Sequence, residues 1–309
     1  MNYFSIVLSQ LEIFAVYMII GMAAVKMHIL DRGKLSVLSG IVTKILLPLL
    51  IFTNTIHGPT REEFLSSTVI IAIGILLFLS LYLLSILLSK AASLKGNRSK
   101  VYRACTMFGN CGFMGIPVIL ALYPDQGGLY MGMYTVADQL MLWTLGVYLA
   151  SPVEANLSIS GNLRKMVNPA TMAVLLSVFF VLTGLRLPDF LSDALTKTGS
   201  AAPPLSMIYL GGAFCYISIR DYLKKLEIYL TILVKMLLAP LAVYFILTHI
   251  PGLPQSIAVT ISVICGLPSM SSIAMIAETQ HSDSDYAAGM IFLTTISTII
   301  TLPIVCALL

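Results

Sequence analysis

Apolar runs long enough to cross a bilayer recur from one end of this sequence to the other. Ten can be delimited, at roughly 6–27, 35–56, 65–89, 101–122, 129–150, 168–187, 199–218, 227–248, 255–278 and 285–307. In lipid only a helix satisfies its backbone within one segment, and a barrel would need polar and apolar residues in alternation, so the runs predict helices. Ten spans of ~20 residues occupy about two thirds of the 309 positions and leave short loops with no room for a soluble domain. Composition agrees, with 58% hydrophobic and only 10% charged residues, against about 25% charge in soluble domains. The surface of a soluble fold of this size could not hide so much apolar area. Nucleic-acid binding, soluble dinucleotide chemistry and disulfide scaffolds are set aside on these grounds. The five cysteines, Cys105, Cys111, Cys215, Cys265 and Cys306, lie in or beside apolar runs without metal-ligand spacing and read as small buried residues. The first run has no Lys or Arg before it and is read as a retained span, not a cleaved signal.

Charge sets the expected orientation. Loops after runs one, three, five and seven carry thirteen Lys and Arg, from Lys26 to Lys225, whereas the opposite loops carry three, Arg61, Arg186 and Lys197. The positive-inside rule then puts the odd loops in the cytoplasm and both termini outside the cell membrane. The loop after run nine has no Lys or Arg and adds nothing to this assignment.

The most polar connection, SPVEANLSISGNLRKM at 151–166, divides the chain into five runs and five. An odd number per half inserts the second half upside down, the inverted repeat of many secondary transporters. The expected organisation is a first repeat at 1–150, a cytoplasmic connection at 151–167 and an inverted repeat at 168–309. Run four carries GNCGFMGIP (109–117) and run nine carries CGLPSMSS (265–272). Pro117 and Pro268, each preceded by a Gly-x pair, lie about half a chain length apart. Glycine loosens a helix and proline removes a donor, so both runs are expected to break at mid-membrane. Each proline suits the first position of a restarting half-helix. Inverted insertion then points two positive helix ends at one site, which favours a small anion such as a carboxylate.

The motif Asn110-Cys-Gly112-Phe-Met-Gly115-Ile-Pro117 resembles the fourth-span motif of the auxin efflux carrier family. Residues 21–52, Asn168-Pro169, VKMLLAPL (234–241) and 266–303 are also similar to that family, so the resemblance covers the whole chain. It implies two inverted five-helix repeats with broken helices 4 and 9 crossing. It further implies a scaffold of helices 1, 2, 6 and 7, a moving part of helices 3–5 and 8–10, an elevator-like cycle and a homodimer. The short middle connection is like that of bacterial members, which are associated with organic acids such as malate or malonate.

Several residues become candidates for substrate binding: Asn110, Gly112, Gly115, Pro117, Gly266, Pro268, Ser269 and Ser272. Asn110 can donate to a carboxylate or cap the broken helix. Its counterpart in the second half is Ile261, so the site is not symmetric. Ser269 and Ser272 share a helical face, and Ser271 has the alternative of bonding back to its own helix. Asp138 is the deepest acid, costly in lipid unless paired or protonated, and is either a proton carrier or a structural hydrogen-bonding group. Lys44 and Lys235 can snorkel to the cytoplasmic face. Lys235 alternatively pairs with Asp138 or with the substrate. Glu278, His281, Asp283 and Asp285 form an acidic turn, read as solvated in preference to metal-binding, and His28, His57 and His249 fall at span ends.

The expected function is secondary transport of a small organic anion, a carboxylate such as a dicarboxylate or an auxin-like acid. The driving force would be protons, sodium or the anion's own gradient, and no cofactor or metal is called for. An intramembrane enzyme would need a motif such as GxSxG or HExxH, and neither occurs. A channel would need a filter repeated around an axis, and the sequence contains no such repeat.

Overall fold

Every regular element among the residues described by the computed structural model, 3–56, 67–153, 169–216 and 218–309, is a helix. In chain order they are α1 (Tyr3–Lys26), α2 (Arg32–Ile56), α3 (Val69–Ala91), α4 (Gly96–Met107), α5 (Cys111–Leu122) and α6 (127–150). There follow α7 (Pro169–Thr183), α8 (Asp189–Gly199), α9 (Ala202–Phe214), α10 (Leu226–Thr248), α11 (Gln255–Cys265), α12 (Ser271–Thr279) and α13 (Ser284–Leu308). Five of these, α1, α2, α3, α10 and α13, are long and apolar enough to cross a membrane, and α5 and α11 are shorter apolar helices. The fourth and ninth runs are each interrupted, as α4–α5 and α11–α12. His57, Arg61, Arg164, Lys165 and Asn168 lie outside the described residues.

Helix α8 is a correction, for it fills the connection between the sixth and seventh runs, which the sequence reads as a loop. Phe190, Leu191, Ala194 and Leu195 recur at helical spacing behind Pro188, a pattern too short to register as a span. The helix packs on the second half of α2, and Gly199 brings its backbone against that of Leu50. Cys215 is a second correction: it is exposed at the end of α9, while the other four cysteines are buried.

Two sets of helix pairings run through the bundle, and α1 also meets α13 and α5, and α2 meets α6, across them. In the first, α1 lies along α9 and α7 lies along α2. The α1–α9 contact is backbone on backbone: a Cβ on Gly21 would overlap the Ile208 carbonyl, and one on Gly211 the Met18 carbonyl. Lipid offers no hydrophobic drive between helices, so such close approach of small residues is what holds them. In the second group, α3 packs on α4 and α6, α10 on α11, and α13 on α12 and α4.

The described parts of the basic loops gather at one end of the bundle. Arg98 meets Asp283 at 3.0 Å, the Asn97 side chain accepts from the Val153 amide at 2.8 Å, and Arg32 lies 5.1 Å above the Tyr216 ring. At the opposite end Tyr3 is hydrogen-bonded to Tyr123 at 2.9 Å and Tyr130 to Ser256 at 2.8 Å. Asp31 caps α2 by accepting from the Lys34 amide at 2.8 Å, and that bond holds its carboxyl below the usual range.

Four helical turns are widened to i→i+5 bonding: Val42–Leu46, Cys111–Gly115, Leu142–Gly146 and Val234–Leu238. Pro48, Pro117 and Pro240 each stand two residues beyond one of them. A proline lacks the N–H for the preceding turn, and the turn opens to compensate. Leu142–Gly146 has no such proline, and nothing in its sequence explains it.

Candidate functional site

The two interruptions are paired with each other. The Asn110 amide donates to the Pro268 carbonyl at 2.8 Å, and the Met270 amide donates to the Phe108 carbonyl at 3.0 Å. Gly109 and Ser269 stand opposite one another in this short antiparallel bridge. Gly109 lets the two segments approach closely: a Cβ there would sit 3.2 Å from the Ile264 carbonyl oxygen and 3.3 Å from the Leu267 Cβ, so its neighbours would have to give by a few tenths of an ångström. The Ser269 amide is taken by the Thr294 hydroxyl at 3.1 Å. Each break thus supplies partners for backbone groups that an unwound segment would leave bare in lipid.

Both half-helices begin beside this bridge, but not at the prolines. Helix α5 restarts at Cys111, and Pro117 lies one turn further on, where its missing donor accounts for the widened turn. Helix α12 begins at Ser271, and Pro268 belongs to the bridge, where its carbonyl is the part used. Asn110 starts α5 in two ways: its carbonyl accepts from Met114 at 3.1 Å and Gly115 at 3.0 Å, and its Oδ1 accepts from Phe113 at 3.4 Å. Capping uses the oxygen alone, and the buried Nδ2 has no partner among the described residues.

A cavity of ≈ 300 Å³ adjoins the bridge, within the range of small-ligand sites. The first group of helices contributes Thr43, Lys44 and Leu47 from α2 and Pro169 from α7. The second contributes Asn110 and Gly112 from the break, Asp138 from α6, and Met270 and Ser272 from the other break. The cavity continues to Gln280, next to the turn that carries Asp283 at the basic end.

Four of the sequence candidates, Asn110, Gly112, Ser272 and Asp138, therefore line one space. The others lie around it. Gly115 faces Leu267, whose Cδ1 would stand 2.9 Å from an added Cβ, and Gly266 faces Pro240 at 3.2 Å. The buried hydroxyls of Ser269 and Ser271 have no partner among the described residues, so Ser271 does not bond back to its helix. Lys235 neither snorkels nor reaches Asp138. It is 1% exposed, and its Nζ donates to the Leu267 carbonyl beneath the second break. The ion pairs among the described residues are Lys34–Asp31 and Arg98–Asp283, the latter engaging the acidic turn.

Lys44, Gln139 and Trp143 also line the cavity. Sequence reasoning had Lys44 snorkelling and gave Gln139 and Trp143 no role. Asp138, 3% exposed, accepts at Oδ2 from Gln139 Nε2 at 3.2 Å, and Gln139 Oε1 accepts from Trp143 Nε1 at 3.1 Å. The signal was present in the sequence: residues 139 and 143 stand one turn apart on the helix that carries the acid.

Comparison with known proteins adds to this picture. A family model described as membrane transport protein matches residues 5–306. An uncharacterized transporter of Methanothermobacter thermautotrophicus is 25% identical over 292 residues, covering 94% of each chain. An uncharacterized transporter of Methanocaldococcus jannaschii is 24% identical over 280 residues, covering 86% of this chain and 87% of the relative.

Proposed function

Because the chain belongs to the membrane transport protein family, that of the auxin efflux carriers, we propose that it is a secondary transporter of a small organic anion. The substrate class is a carboxylate, including dicarboxylates and auxin-like acids. One observation carries the reading: two half-helices, α5 and α12, start at the same bridge beside a cavity lined by Asn110, whose buried amide nitrogen has no partner among the described residues. Helix N-termini carry positive partial charge and bare N–H groups, and paired ones at mid-membrane suit an anion. Lys44 adds a full positive charge to the same space.

The cavity is walled by both groups of helices, which supports an elevator cycle. The group of α3–α6 and α10–α13 would carry the site past α1, α2, α7 and α9. Its extension to Gln280 and Pro169 corresponds to the cytoplasm-facing state, if the basic end is cytoplasmic as the positive-inside rule requires. The full reading has ten spans in two inverted repeats, 1–150 and 168–309 joined by 151–167, in a homodimer in the cell membrane. Protons or sodium drive it, with Asp138 as the coupling group, and both termini face outward.

The test is counterflow with purified protein in vesicles. A panel of labelled mono- and dicarboxylates is presented at two pH values, with and without sodium. Saturable exchange of at least one acid is expected. Flux that does not saturate, or no exchange of any acid, would overturn the proposal.

A further inference from the structure

Indole Nε1–H can only donate, so the amide atom facing Trp143 must be the oxygen of Gln139. The amide nitrogen is then turned toward Asp138, and Oδ2 of that carboxyl must accept. Oδ1 is buried without a partner among the described residues, in a side chain that lines the cavity. The three groups form a directed chain along one face of α6. From this geometry we infer that Trp143 and Gln139 are positioning residues that keep Oδ2 an acceptor. The coupling proton therefore rides on Oδ1, from which it hydrogen-bonds the substrate's carboxylate. The inference rests on reading the cavity as an anion site.

The consequence is obligatory pairing. An ionised Asp138 repels an anion in the same cavity, whereas a protonated one offers it a donor. Proton and anion then enter as a pair. The proton comes from water on one side and returns to water on the other, and no other bond is made or broken. The other titratable groups facing Asp138 are Lys44 from α2, Cys111 from α5 and Tyr134 from its own helix. None of them is hydrogen-bonded to its carboxyl in the structure.

Trp143 is the sole tryptophan of the chain, so its fluorescence reports on this relay directly. Emission of the full-length protein in detergent, without substrate, is followed across neutral pH. One transition is expected, and Asp138→Asn should abolish it. Gln139→Leu removes a hydrogen bond to the charged form, so the pH midpoint of uptake should move to higher pH by about one unit. Trp143→Phe, which unlocks the amide, should move that midpoint the same way by less. A fluorescence transition that survives in Asp138→Asn would assign the titration to another group and overturn the relay. So would an unmoved uptake midpoint in both Gln139→Leu and Trp143→Phe, even where Asp138→Asn fails to fold. A protein that shows the transition yet exchanges no carboxylate would instead sink the transport reading and leave the relay standing.

Discussion

The backbone amide of Asn110 donates to the carbonyl of Pro268 across 2.8 Å, and with it two breaks from opposite halves of the chain become one structure. Neither break is tenable alone, because unwound backbone in lipid must find partners within the protein. The return bond from Met270 to Phe108 closes the bridge, and Lys235 takes the Leu267 carbonyl that the bridge does not use. A change that shifts one break therefore shifts the other, together with the starts of α5 and α12.

Gly115 tests that coupling. It stands outside the cavity, facing Leu267 of the other break and the Met131 methyl at 3.5 Å. An added Cβ meets only the flexible end of Leu267, so Gly115→Ala is expected to keep partial uptake. Gly115→Val adds two methyl groups to a packed contact, at a cost of about 1–3 kcal/mol, and displaces the crossing. Uptake should fall below detection while the protein still reaches the membrane. Normal uptake by the valine variant would remove the crossing from the mechanism.

The two intramembrane lysines should separate cleanly. Lys44 lines the cavity and is exposed to it, and Lys235 is buried against a carbonyl. Lys44→Gln is expected to raise KM about tenfold through loss of a charged partner, with little change in melting temperature. Lys235→Met leaves the Leu267 carbonyl bare, which costs about 1–3 kcal/mol, and should lower the melting temperature by several degrees. Uptake titrations and melting curves on the two variants check the split, and exchanged phenotypes would contradict it.

Glycines at helix contacts differ as sharply. At Gly211 an added Cβ would collide with the Met18 backbone, which cannot swing aside, so Gly211→Ala should cost about 3 kcal/mol and separate α1 from α9. At Gly40 an added Cβ meets nothing within 4 Å, and Gly40→Ala gains about 0.5–1 kcal/mol of helix propensity. Melting temperatures should move in opposite directions. A tolerated alanine at 211 would show that the two helices are not held by their backbones.

Much of this was legible from residues with strong local consequences. Gly109, Gly112, Gly115 and Pro117 announced one break, and Gly266 and Pro268 the other, because glycine and proline act on the backbone wherever they stand. The point of restart was not legible. Asn110 captures the Phe113 amide and begins α5 well before the proline, and that choice depends on Pro268 being in place to hold the Asn110 backbone. Lys44 and Lys235 look alike in sequence, each set in an apolar run, and only packing decides that one faces a cavity and the other a carbonyl. The widened turns had a usable mark, a proline two residues on, but a proline alone does not distinguish a kink from a wide turn. Helix α8 hid because its apolar face is only four residues.

Asp138 is the residue on which the proposed proton coupling can be tested. If its proton is the driving ion, protonation must alternate as the site faces each side of the membrane. Asp138→Asn supplies a permanent neutral donor in nearly the same volume, able to accept from Gln139 Nε2 and to donate toward the substrate. The variant should thus still exchange labelled for unlabelled anion, a process that moves no net proton, and its exchange should lose pH dependence. Accumulation driven by a pH gradient should vanish. A purely structural role predicts the reverse, with less protein or a lower melting temperature and an intact pH response in what survives. Vesicle assays of gradient-driven uptake and of exchange, run on the same preparation, separate the two. An Asn variant that still concentrates substrate in response to a proton gradient would exclude Asp138 as the coupling group.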